Sequence, residues 1–232
     1  MAIHETDTFR SLHALGEHVL AAGRYIAVGR IGLAVVPGGI ATPPFGDDER
    51  VIAVVDGAIH VSTRGREREA PVTTLRAAAE FAGVALGAPA HVYKPVTPCQ
   101  PDAPLNLDVG AYGDVVRWFG LIDDALTQFR AEIAEDDPSE AVLWPEHFDV
   151  AIRAADTNYG GLVGDAAVHR PYAYVGPPAS LLDPSSGSFW NTPFGAASSD
   201  ESRTAAEIVA FFHEGRRNVR RQMVEQRPIS PG

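Results

Sequence analysis

The sequence predicts an α+β fold in a single domain, with a largely antiparallel sheet and four main flanking helices. Three observations carry this expectation. Long segments repeat apolar residues at three- and four-residue spacing, most clearly from Tyr112 to about Ala134. Short apolar runs are separated by glycine and Asp-Gly turns, which join strands by hairpins rather than by crossover helices. The order helix, strands, Thr-Pro-Phe-Gly loop, helix occurs twice, in Thr42-Pro-Pro-Phe-Gly46 and Thr192-Pro-Phe-Gly195. The single domain, 1–232, therefore divides into possible pseudo-repeated halves, 1–88 and 111–226, with a Pro-rich connector over 89–110.

Thr6 or Asp7 caps the first helix, which carries Phe9, Leu12, Gly16, Val19 and Leu20 on one face. His13 and His18 lie five apart, off the i, i+4 spacing that brings two imidazoles to one metal, and read as surface histidines. Gly23 and Gly29 bracket a change to extended structure. Ile31 to Val36 reads as a buried strand stopped by Pro37-Gly-Gly39, and Ala41 to Gly46, with two prolines, as a shaped loop. Val51–Val55 and Ala58–Thr63 form a hairpin about Asp56-Gly57, whose dipeptide suits the positive φ angles of a type I′ turn. Arg64 to Glu69 alternates charge and reads as a solvated strand or turn edge. Thr73 or Thr74 caps a short helix through Leu75, Ala78, Ala79 and Ala82 that ends near Gly83 or Gly87.

The connector holds Pro89, Pro95, Pro98, Pro101 and Pro104, leaving room for at most a short strand at His91-Val-Tyr93. An unstructured loop of that length is unusual inside a compact domain, so it is expected to be pinned on the surface or to line a site.

The second half opens on the helix with Val115, Phe119, Ile122, Leu126, Phe129 and Ile133 in one stripe. Then comes Leu143-Trp-Pro-Glu-His-Phe-Asp149, which packs aromatic rings, two carboxylates and an imidazole into seven residues. Read as one strand, Val142, Trp144, Glu146, Phe148, Val150 and Ile152 face inward while His147, Asp149 and Arg153 face outward, with Pro145 marking an edge or bulge. Asn158-Tyr-Gly-Gly161 and Gly164-Asp165 read as turns. Pro171 to Pro178 is a strand ending in a proline loop. The last helix runs from Ser202 to about Met223, with Arg216, Arg217, Arg220 and Arg221 complementing the dipole at its C-terminal end, and residues beyond Arg227 read as a loose tail.

Composition narrows the function classes. A net charge of −11 disfavours nucleic acid as a partner, because the long-range field repels phosphate. No segment reaches the about 18 uncharged apolar residues of a membrane span, and the N-terminus lacks the pattern of a signal peptide, so no membrane partner and a cytoplasmic location are expected. The lone Cys99 excludes an intramolecular disulfide and a thiolate zinc cluster. Lys94 is the single lysine among 19 basic residues, the codon signature of a GC-rich bacterial genome.

The set Leu143-Trp-Pro-Glu-His-Phe-Asp149, Asn158-Tyr-Gly160, Tyr172-Ala-Tyr-Val-Gly-Pro177, Phe189-Trp-Asn-Thr-Pro-Phe-Gly-Ala196 and Phe211-Phe-His-Glu-Gly215 resembles a family of hypothetical proteins from GC-rich bacteria. More remotely the chain is similar to a domain-of-unknown-function family with a Trp-Pro-x-His-Phe-Asp segment. The resemblance implies no activity and assigns no catalytic residue.

The polar and aromatic residues of the second half define the candidate site. The leading reading is binding of a small organic molecule in an aromatic pocket formed by Trp144, Glu146, Asn158, Tyr159, Tyr172, Tyr174, Trp190 and Asn191. An alternative is a metal-independent hydrolase or isomerase in which Asp149 orients His147 as general acid or base; a structural role, with Asp149 accepting backbone N–H bonds, stands against it. A third reading is a homodimer or other assembly through the aromatic edge. No metal is assigned, because no His-Glu-x-x-His spacing occurs; a set of His147 with Glu146 or Asp149 and a distant His169 or His213 stays an alternative. No cofactor is identified: the Gly-x-Gly-x-x-Gly spacing of a Rossmann site is lacking, and so is the Gly-x-Ser-x-Gly elbow of a serine hydrolase.

Overall fold

The first helix runs further than its glycines suggest. In the computed structural model, which describes residues 2–182, 189–199 and 204–225, α1 (Asp7–Leu15) starts on Thr6, whose Oγ1 accepts from the Phe9 N–H at 3.1 Å. It continues through a π-helical stretch (Gly16–Ala21) into α2 (Ala22–Val28) and ends at Gly29, which is left-handed at φ +68°. The expected switch to extended structure at Gly23 is thus corrected. Gly23 lies within the helix, where a Cβ would meet the Val84 side chain, so its small size serves close packing rather than a break. Residues 11–23 are buried on every side, the polar His13, Glu17 and His18 among them.

The first five-stranded sheet is an antiparallel meander of β1 (Ala34–Val36), β2 (Gly39–Ala41), β3 (Val51–Val55), β4 (Ala58–Thr63) and β5 (Arg66–Pro71). Asp56 and Gly57, at φ +49° and +78°, make the expected type I′ turn. The charged run forms the exposed edge strand β5. α3 (Leu75–Ala82) is capped by Thr74 and closed by Gly83. The expected strand from Ile31 is shorter than its apolar run, because Leu33 exchanges backbone hydrogen bonds of 2.9 and 3.0 Å with Leu143 of the second half.

α4 (Val109–Glu132) begins on the Asp108 cap and buries the whole predicted stripe. It spans both halves. The Tyr112 hydroxyl at its start lies 2.9 Å from the Gly38 carbonyl and 3.0 Å from that of Val54 in the first sheet, while Phe129 near its end packs on Tyr159 of the second at 4.8 Å. A single apolar cluster therefore draws from both halves.

The second five-stranded sheet, again an antiparallel meander, comprises β6 (Val142–Trp144), β7 (Asp149–Ala154), β8 (Thr157–Leu162), β9 (Tyr172–Gly176) and β10 (Ala196–Ser198), followed by α5 (Ala205–Glu225). Two expectations are corrected here. Residues 142–152 are not one strand but a hairpin with 145–148 as its turn. Asn158-Tyr-Gly-Gly161 is not a turn but the central strand β8. Its glycines answer to neighbours: a Cβ at Gly161 would overlap Ile122 of α4, and one at Gly160 would lie 2.9 Å from Tyr174 Cζ.

Each half thus runs helix, five-stranded meander, helix. The echoed Thr-Pro-Phe-Gly phrase does not mark equivalent places, since it joins β2 to β3 in the first half and β9 to β10 in the second. On α5, Arg216 Nε and Arg220 Nη2 hold Asp136 at 2.6 and 2.7 Å, so these two arginines serve ion pairs across to the end of α4 rather than the helix dipole alone. The expected helix start at Ser202 and the tail beyond Arg227 lie outside the described residues. No helix among the described residues is long and apolar enough to cross a membrane.

Candidate functional site

The β6–β7 turn is shaped by one buried ring. Phe148 takes the left-handed conformation, φ +52°, and its N–H returns to the Trp144 carbonyl at 2.7 Å. That geometry, uncommon for a bulky side chain, sends the ring into the core against Phe9, Phe119 and His13. β7 then starts with Asp149 on the outer face of the sheet, while Val150, Ile152 and Ala154 face inward.

Register sets what Asp149 meets. Ala151, Gly160 and Tyr174 form one cross-strand row, and Leu162 and Tyr172 belong to the neighbouring row that holds Asp149. With no side chain at Gly160, Tyr174 lies across β8 and donates its hydroxyl to Asp149 Oδ2 at 2.5 Å. Tyr172 donates likewise to Asp165 Oδ2 at 2.6 Å, and Asp165 is fixed by the Ala167 and Val168 N–H groups, both at 2.7 Å.

Two cavities open beside this row. One of about 380 Å³ is bounded by His147, Asp149, Asn158, Tyr172, Tyr174 and Phe194. The other, about 290 Å³, adds Trp144, Glu146 and Arg153 and shares His147, Asp149, Asn158 and Tyr174 with the first. They form one two-lobed cleft with Asp149 in the common wall.

Asp149 is only 5% exposed. Burial pushes its pKa up to about 6 against the opposing pull of the Tyr174 hydrogen bond. Its Oδ1 is sealed from solvent without a hydrogen-bond partner, and so is Oε2 of Glu146. Burial beside Asp149 raises the Tyr174 hydroxyl well above its ordinary value, so the tyrosine remains the donor of the pair.

Of the residues singled out in the sequence, Trp144, Glu146, His147, Asp149, Asn158, Tyr172 and Tyr174 converge on the cleft. Tyr159 points the other way, into the core against Phe129 and Phe212. Trp190 is buried against Phe189. Asn191 clamps both backbone groups of Ala197 at 2.8 and 2.9 Å and so holds β10. Among the described residues no hydrogen bond joins exposed His147 to Asp149; the side chain that holds the carboxylate is Tyr174. His213 meets Glu132 at 2.6 Å and His169 stacks on His4, so neither joins His147.

A buried polar cluster behind the turn went unread in the sequence. His13 and His18, expected at the surface, are 4% and 2% exposed, and Glu17 is fully buried. The Glu17 carboxylate accepts from the Val96 N–H, the Thr97 N–H and the Thr97 hydroxyl at 2.9, 2.8 and 2.5 Å. His18 Nδ1 accepts from the Ala88 N–H at 3.1 Å, which leaves the ring proton on Nε2 to be donated to the Thr97 carbonyl at 2.9 Å. The Pro-rich connector is thereby pinned to the helix and lines a further cavity of about 480 Å³. His91-Val-Tyr93 forms a turn there and not a strand. The available signal was a helix with no polar face: Glu17 and the two histidines sit where only buried partners can satisfy them.

Comparison with family models, with curated proteins and with solved structures returns no match.

Proposed function

We propose that this protein binds a small organic molecule in the two-lobed cleft, and that the ligand carries a cationic or hydrogen-bond-donating group directed at Asp149. One observation carries the reading: Asp149 is a buried carboxylate, held by Tyr174 on one oxygen and left unpartnered on the other, in the wall shared by both lobes. A buried acceptor without a donor costs about 1 to 3 kcal/mol, and a ligand N–H or ammonium group would offset that cost. Glu146 adds a second such oxygen, and the faces of Trp144, Tyr172 and Tyr174 suit a cation. The exposed lone Cys99 fits a reducing compartment, and we place the protein in the cytoplasm as part of the same reading. Native mass spectrometry of the purified chain tests it. A retained amine-bearing mass in the wild type that Asp149→Asn loses is the expected result; a ligand equally retained by Asp149→Asn sinks the assignment.

A second reading draws on the pKa of about 6, which suits Asp149 as a general acid or base in a hydrolase or isomerase, with His147 beside it at the mouth. Under this reading turnover follows a titration near pH 6 and survives His147→Ala better than Asp149→Asn.

A further inference from the structure

We propose that His4, Glu5 and His169 form a binding site for a zinc-class divalent cation, separate from the cleft. His4 and Glu5 are presented by a short 3-10 turn (Ile3–Glu5) just before α1, closed by the Thr6 hydroxyl donating to the Ile3 carbonyl at 2.7 Å. His169 comes from the loop between β8 and β9, whose shape is fixed by Asp165. The two imidazoles lie nearly parallel, centroids 5.7 Å apart at 24°. One ligand atom from each of the three residues lies within 4.8 Å of the others.

The donor set decides the class of ion. Two imidazoles with one carboxylate suit zinc and its neighbours, whereas calcium and magnesium take oxygen ligands. Bonds of about 2.0 to 2.2 Å bring such ligands roughly 3.3 Å apart, a closure within reach of the exposed Glu5 and His169 side chains. His4 Nδ1, packed against Gly164, has no hydrogen-bond partner, so coordination through this ring breaks no existing bond. Glu5 is hardly engaged, accepting one long bond of 3.4 Å from the Ala2 N–H. Three protein ligands leave at least one position for water. The bound ion would fasten the segment before α1 to the loop whose Asp165 holds Tyr172, and so would stiffen one wall of the cleft without entering it.

The test uses the tag-free full chain, stripped with chelator and titrated calorimetrically with zinc chloride at pH 7.5. Saturable uptake of one ion per chain is expected, together with a rise in melting temperature. His169→Ala and His4→Ala each weaken uptake at least tenfold and remove the thermal shift, Glu5→Gln weakens it less, and His91→Ala leaves it intact. Cobalt(II) absorption and the imidazole shifts of His4 and His169 in NMR spectra of the unmutated chain give a readout that does not depend on how the variants fold. Absence of saturable zinc uptake overturns the proposal. So does uptake that persists in both histidine variants, or magnesium bound as tightly as zinc.

Discussion

His13 donates from Nε2 to the carbonyl oxygen of Pro145 at 2.7 Å, joining the first helix to the turn that presents Glu146 and His147. The same ring stacks on Phe148 at 4.5 Å and 7°. The cleft is thus backed by a side chain 132 residues away in the chain.

This contact makes stability depend on pH. Burial holds the His13 pKa below its ordinary 6.5, against the raising influence of Glu17. The unfolded chain then takes up a proton that the folded one refuses, so the stability contributed is complete above about 6.5 and is lost as pH falls toward the folded value. His13→Phe keeps the stacking and loses the hydrogen bond. In urea unfolding it should cost about 1 to 3 kcal/mol at pH 7.5 and visibly less at pH 5.5; an equal cost at both would show that His13 is not held neutral.

Asp149 works in the opposite sense. Its pKa rises from 3.8 to about 6 on folding, so the native state retains a proton between those values that the unfolded chain has released. Stability declines as pH climbs through that window, and the deficit persists above it. Asp149→Asn should therefore be more stable than wild type at pH 7.5, by about 1 to 3 kcal/mol at roughly 1.4 kcal/mol per pH unit, and close to it at pH 4. Thermal unfolding at the two values checks that the difference closes at low pH.

Tyr174→Phe removes the donor to Asp149 Oδ2 and keeps the ring over Gly160. Since that bond pulls the carboxyl pKa down, the Asp149 titration should move further up, as followed by carbon NMR of the carboxyl group. A titration that stays put would show that the hydroxyl does not stabilise the carboxylate.

Gly161→Ala places a methyl group into Ile122 and 3.0 Å from the Tyr172 carbonyl. It should cost about 1 to 3 kcal/mol through overpacking. Combining it with Ile122→Val should recover part of that loss in a double-mutant cycle, which a mere β-propensity effect would not do.

Glu17→Ala strands the donors of Val96 and Thr97. A cost of about 3 kcal/mol is expected, as for other broken buried charged contacts, with faster amide exchange at Val96 and Thr97 and new protease cuts in 88–98. Unchanged exchange there would mean that the connector is held by other contacts.

The apolar spacing and turn chemistry of the sequence determined the α+β class, the α4 stripe and the Asp56-Gly57 hairpin, because these depend on neighbours within a few residues. Trp144, Glu146, His147, Asp149, Asn158, Tyr172 and Tyr174 were legible as a cluster for a related reason: strands adjacent in the chain are adjacent in a meander, so local sequence approximates local space. Tertiary structure decided the rest. Whether Tyr159 and Trp190 face the cleft or the core depends on register and on where α4 and α5 lie, which no strand records in its own residues. Phe148 turned the expected strand into a hairpin because its ring is buried among residues from distant elements. Asn158-Tyr-Gly-Gly161 resembles a turn in composition, yet its glycines are present for Ile122 and Tyr174. Glu17 and His18 became interior groups because a connector some 80 residues on supplies the partners that offset their burial, and His13 because the Pro145 carbonyl does so from 132 residues away; only the folded chain brings those partners within reach.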